Sequence, residues 1–172
     1  MKKYYYLLIA AAALVMAACG GKGQESSAEE DKAAEELAAN GTVFEGANFS
    51  ITYPKDWKET FKSDESVNTA SEDNSITMDA TFSDYPCKPA DFEQYYKNFT
   101  GMSMNASYTF EQPVIEENIM TYKGVDGDKA VTNFVVYIDD KAGVAGGVKY
   151  PVSKAAEVEP MIKPILNSIK KK

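Results

Sequence analysis

Cys87, in the stretch DYPCKPADF from Asp84 to Phe92, and the acid pairs Asp126/Asp128 and Asp139/Asp140 are the side chains whose type and spacing suggest chemistry. A cysteine beside a helix start is a candidate nucleophile or redox thiol, because the positive end of the helix dipole favours the thiolate. Clustered carboxylates suit a hard divalent cation such as calcium. A serine hydroxyl activated by a lysine would make a third kind of site.

What the sequence lacks weighs against all three. It has no histidine, and all 18 basic residues are lysine. No side chain therefore has an unperturbed pKa near neutrality, and the commonest transition-metal ligand is missing. Nor is there a guanidinium for bidentate capture of carboxylate or phosphate. No serine sits in a G-x-S-x-G elbow. Asp126-Gly127-Asp128 lacks the third acid and the distal glutamate of an EF-hand loop, and Asp-Gly is a strong hairpin signal. The leading reading is a non-catalytic binding or accessory domain for a protein or small ligand, with no cofactor and no metal. An enzyme using Ser or Cys87 with a Lys base, and a divalent-cation binder using Asp126, Asp128, Asp139 and Asp140, are the alternatives.

The other cysteine, Cys19, stands at a seam. Lys2 and Lys3 precede an apolar run from Tyr4 to Ala18, after which the chain turns polar and acidic. The run is too short for the roughly 20 residues of a membrane-spanning helix and has the form of a signal-peptide core ending in small residues. Met16-Ala17-Ala18-Cys19 resembles the lipobox of bacterial lipoproteins, with Met in place of the usual Leu. That resemblance implies cleavage before Cys19, lipidation of its thiol, and anchoring by acyl chains. Two or more chains hold a protein stably where one does not. Gly20 follows where inner-membrane retention typically uses Asp, which points to the outer membrane of a Gram-negative bacterium. Lipidation of Cys19 leaves Cys87 without a disulfide partner in the chain.

Three regions follow: a signal peptide over 1–18, a lipidated cysteine with an acidic tether over 19–41, and a single domain over 42–172. Loss of the signal removes two lysines and no acid, so the net charge passes from −8 to −10. A surface of that sign is unsuited to nucleic acid. Gly20 to Asn40 has Leu37 as its one bulky hydrophobe. Its pattern predicts a solvated spacer with a marginal exposed helix over 28–39 that adds nothing to the fold.

From Thr42 short runs alternate with period two. Strands are expected at Thr42–Glu45, Phe49–Tyr53, Trp57–Phe61, Val67–Ser71, Ser75–Ser83, Tyr108–Gln112, Ile115–Val125, Ala130–Ile138 and Val144–Tyr150. The aromatic stripe Phe92, Tyr95, Tyr96, Phe99 and Met102 predicts a helix over 89–102 with its rings in the core. Trp57, the only tryptophan, is expected to be buried. Ser153 is a candidate N-cap for a final helix that Pro160 and Pro164 should kink or restart. Lys170 to Lys172 would favour its negative end.

The order of these elements, opening on FSITYPKDW (Phe49 to Trp57) and closing on ILNSIK (Ile165 to Lys170), resembles the PsbP/Mog1-like group. The resemblance implies an α+β fold, a mainly antiparallel sheet flanked by helices in an α-β-α sandwich, and a binding or accessory role. It carries over no functional residues.

Replacing Cys19 by Ser is expected to leave unprocessed precursor or soluble protein. Membrane fractionation after a high-salt wash, with intact mass measurement, checks it. A variant that stays with the membrane and keeps the lipid mass is the contrary outcome.

Overall fold

The computed structural model describes the backbone of residues 22–172 and the side chains from Ala28 onward. The signal peptide and Cys19 lie outside the described residues. In chain order the elements are α1 (Lys22–Asn40), β1 (Thr42–Glu45), β2 (Phe49–Tyr53), β3 (Lys58–Lys62), β4 (Ser66–Ala70), β5 (Thr77–Ser83), α2 (Phe92–Thr100), β6 (Thr109–Phe110), β7 (Val114–Glu116), β8 (Ile119–Asp126), β9 (Lys129–Asp139), β10 (Ala142–Pro151), α3 (Ala155–Asn167) and β11 (Lys170–Lys171). Eight strands make one antiparallel sheet in the order β3-β4-β5-β10-β9-β8-β6, with β7 also on β8, and β1-β2-β11 make a second, smaller one.

Alternation along the central strands sends side chains to two cores. On one face of the large sheet Phe134, Val136, Val144, Val148, Met78 and Ala80 meet Phe49, Ile51 and Tyr53 of the small sheet and Val158, Ile162, Ile165 and Leu166 of α3. On the other face Met120, Tyr122 and Val135 meet Phe92 of α2, with Tyr95, Tyr96 and Phe99 packed around them. Tyr96 and Phe99 each stand edge-on to Tyr122 with ring centroids 5.4 Å apart. Phe92, Tyr95, Tyr96 and Phe99 are therefore core, as their helical spacing predicts, whereas Met102 lies beyond α2 and is 48% exposed. Helices lie on both faces of a mainly antiparallel sheet, the expected architecture. Trp57 is buried with the first core at 4% exposure.

The motif at each end of the resemblance has a physical reason. Ser168 Oγ accepts the Thr52 N–H at 2.8 Å and donates to the Ile165 carbonyl at 2.6 Å, so one hydroxyl ties the end of α3 to β2. The chain then enters β11, where Lys170 and Lys171 pair with Ser50 and Phe49.

Four local expectations are corrected. The single strand expected over 115–125 is a hairpin, β7 and β8, reversing at Glu117 with φ 51° and Asn118. The Asn118 amide donates to the Tyr137 carbonyl at 2.6 Å and fixes the turn; alternation continues on both sides of it, which hides the break. The helix α3 is continuous through Pro160 and Pro164. An interior proline costs about 3 kcal/mol, but Val158, Ile162, Ile165 and Leu166 are buried and each contributes about 1.5–3 kcal/mol. Ser153 does not cap α3: it lies in a 3-10 turn, Val152–Lys154, and the N-cap position is Lys154. The terminal lysines pair with strands and acids instead of the helix end, Lys171 with Asp139 at 2.6 Å and Lys172 with Glu45.

The segment before Thr42 departs furthest from expectation. Residues 22–40 form one helix lying on α3, and Leu37 joins the main core at 8% exposure. Helix propensity alone would leave it marginal, and tertiary contact through that leucine decides. Gly41 follows because a Cβ there would come within 2.5 Å of the Leu37 carbonyl oxygen. Leu37→Ala is expected to lower the stability of the domain by about 2 kcal/mol, measured by chemical denaturation. An unchanged midpoint would show that α1 is only laid on the surface.

Candidate binding cleft

The sequence-predicted chemistry is taken apart by the strand lengths. Asp126 and Asp128 flank the turn before β9, and Asp139 and Asp140 lie at its other end. At about 3.3 Å per residue, this 11-residue strand keeps the pairs roughly 33 Å apart. No group of three or more His, Cys, Asp or Glu side chains converges among the described residues. Asp139 accepts from Lys171 at 2.6 Å and from the Lys141 N–H at 2.8 Å. Asp140 pairs with Lys88 at 2.8 Å and accepts from the Tyr137 hydroxyl at 3.0 Å. The lysine in each case is the main reason that these carboxyls sit below their ordinary pKa.

Cys87 is half-buried beside α2 and its Sγ lies 3.7 Å from the Lys88 carbonyl oxygen. Burial first, then the nearby Asp91 charge, push its thiol above the ordinary value. That is the opposite of an activated nucleophile. Ser168 and Lys171 stand in an S-x-x-K spacing. The two side chains do not form a dyad, since the serine is engaged with Thr52 and Ile165 and the lysine with Asp139.

The structure offers instead a cleft of about 320 Å³ where the large sheet extends past α3. Val114 and Glu116 of β7, Ile119, Thr121 and Lys123 of β8, and Thr132 of β9 make its sheet side; Glu159, Ile162, Lys163 and Leu166 of α3 face them, and Glu30 of α1 and Glu111 close its rim. Lys123 and Thr132 are direct cross-strand partners. Tyr150 lies diagonally behind them on β10, opposite Ala130.

A relay of hydrogen bonds joins three residues of the lining, Lys123, Thr132 and Glu159, to Tyr150 behind them. The Tyr150 hydroxyl donates to Glu159 Oε1 at 3.0 Å, and Thr132 Oγ1 is 3.0 Å from the same phenol oxygen. With the phenol proton committed to the carboxylate, the threonine must be the donor in its own bond. Lys123 Nζ donates to the same Glu159 oxygen at 2.5 Å. Tyr150 and Thr132 are buried at 2% and 8% exposure. Burial is the main cause that raises the Tyr150 phenol far above its ordinary pKa, and it stays protonated. The phenol, the lysine and the carboxylate hold one another in position.

Two further grooves, of about 400 and 500 Å³, flank α1. They are larger and follow the two sides of a helix resting on the domain; the first cleft differs in having Thr132, buried at 8% exposure, in its lining. Apolar walls with a few convergent polar groups mark a binding site better than volume does.

No protein-family model matches the chain, and no curated protein does. Solved structures do. The solution structure of cyanobacterial PsbP (CyanoP) from Synechocystis sp. PCC 6803 matches with a TM-score of 0.56 at 10% identity, covering 91% of this chain and 99% of that one. The Saccharomyces cerevisiae Ran-binding protein Mog1p matches with a TM-score of 0.55 at 12% identity, covering 76% of this chain and 95% of that one. The fold is thus the PsbP/Mog1-like α+β fold, and likeness at such identity speaks for fold alone.

Tyr150→Phe deletes the hydroxyl that links Thr132 to Glu159 and leaves a buried threonine without that partner. A loss of about 1–2 kcal/mol in stability is expected from denaturation curves, with the fold retained by circular dichroism. Wild-type stability in the variant would mean that the relay does not organise the lining.

Proposed function

We propose that the protein is a lipid-anchored lipoprotein of the bacterial cell envelope, in the outer membrane, whose domain binds a partner without catalysis. The cleft is the observation that carries the binding reading. Its apolar walls leave Val114 57% exposed, while the polar relay in its lining is internally satisfied, an arrangement that accepts a surface and does no chemistry. The Ran-binding description of the yeast neighbour supports a protein as the partner. The lipobox around Cys19 supports the anchor. No described helix is long and apolar enough to cross a membrane.

The competing chemistries have no comparable support. A Cys87 nucleophile would need a depressed pKa and a base, whereas the thiol is raised and Lys88 is held by Asp140. A cation site at the aspartates would need them together, and β9 separates them.

A photo-crosslinking residue placed at Val114 is expected to capture a discrete partner in intact membranes. The same residue at Phe61, 54% exposed on β3 at the far edge of the sheet, is expected not to. Equal labelling from both positions, or none from Val114, would count against the cleft as the binding site.

A further inference from the structure

We infer that the cleft receives a basic segment of another protein, lying in extended form along the free edge of β7. This rests on the binding reading above and gives the partner its chemistry.

Charge is the first warrant. Glu30, Glu111, Glu116 and Glu159 line the cleft against Lys123 and Lys163. Both lysines are engaged, Lys123 with Glu159 at 2.5 Å and Lys163 with Glu116 at 2.7 Å. Among the described side chains, Glu30 and Glu111 make no ion pair. The charge of Glu111 reaches behind the lining, where it contributes to raising the Tyr150 phenol. Glu30 also acts on Lys163 at longer range, yet four carboxylates against two lysines leave the lining of an apolar channel with an excess of negative charge, which selects a cation on an apolar stem. A lysine or arginine side chain has that form, with methylenes that lie on apolar surface and a charged head that reaches beyond it. A net charge of −8 over the chain draws a basic partner toward it.

The second warrant is the edge. β7 is hydrogen-bonded to β8 on one side, and among the described strands none pairs with its other side. All three of its residues are exposed. Val114 and Glu116 face the cleft, and alternation sends Ile115, 41% exposed, to the opposite face. Unpaired backbone groups beside exposed aliphatic side chains are what an added strand uses. At the other end of the sheet β3 carries Lys58, Glu59 and Lys62 within five residues, the charged dressing that keeps strands away. A free amine would use the carboxylates and leave this edge idle, so the edge favours a peptide.

The test is titration of the full chain, isotopically labelled, with the peptide Lys-Val-Lys-Val-Lys-Val, followed by amide chemical shifts. Shifts are expected at Val114, Ile115, Glu116, Lys123 and Ile162. Replacing Glu30 and Glu111 together by Gln is expected to weaken binding about tenfold or more, with an unchanged melting temperature as the folding control. Raised salt should weaken it further in the wild type than in the double variant. Equal binding of Glu-Val-Glu-Val-Glu-Val to the same residues would overturn the basic preference while leaving the cleft as a binding site. If 1,5-diaminopentane binds as tightly with no shift in β7, the ligand is a small amine and the strand pairing is wrong. Absence of shifts at the cleft in all three titrations would overturn the inference altogether; crosslinking from Val114 reports separately on whether the cleft binds anything.

Discussion

Nearly every layer of this domain packs on one strand. Eleven residues long and paired on both sides, β9 presents Phe134 and Val136 to α3 and the small sheet, and Val135 to α2. A strand buried on both faces cannot slip by one residue without exchanging the contents of two cores. Its neighbours are held in register for the same reason, and close approach enforces it further. A Cβ at Gly146 would come within 1.9 Å of the Asp79 carbonyl oxygen, so β10 and β5 can sit so near only over a glycine. The same length that joins the cores also disperses the acids at the strand's two ends. One dimension therefore makes the fold and removes the most suggestive chemistry in the sequence.

Closure of the domain depends on two sequence-distant ends meeting. The Thr52 to Ser168 hydrogen bond spans 116 residues, and β11 continues that contact along β2. The serine satisfies a strand amide and turns back on its own helix, both bonds partly buried. The small sheet, Trp57 and the last turn of α3 form a second closure over the core that β9 organises.

How much of this was legible in the sequence follows the range of the interactions. Strands with strict alternation, such as Thr77–Ser83, and the helix with the aromatic stripe were readable because their signal is local and periodic. The break at Glu117–Asn118 was not, since a tight turn need not interrupt alternation. Neither was the continuity of α3, where burial outweighs two prolines, nor the docking of α1 through Leu37, where a single leucine in an alanine and glutamate helix looks like a spacer. The cleft was hidden more deeply. Thr132, Tyr150, Glu159 and Lys123 come from four elements, and the contact between Lys123 and Glu159 crosses 36 residues. One signal was available: Thr132 stands at an inward position of β9 between Ala130 and Phe134, and a hydroxyl there requires a buried partner.

Docking of α1 changes what an anchor at Cys19 would mean. A flexible spacer of about 20 residues would let the domain wander with a reach of about 25 Å in root-mean-square terms, rotating freely. With the helix beginning at Lys22, three peptide units remain, and covalent geometry limits them to about 10 Å. The helix then acts as a stiff stalk fused to the body it carries, and Glu30, part of the cleft rim, is set on that stalk. An anchor at Cys19 would then hold the mouth of the cleft close to the lipid surface, because Glu30 on its rim belongs to the helix that begins three residues after the cysteine.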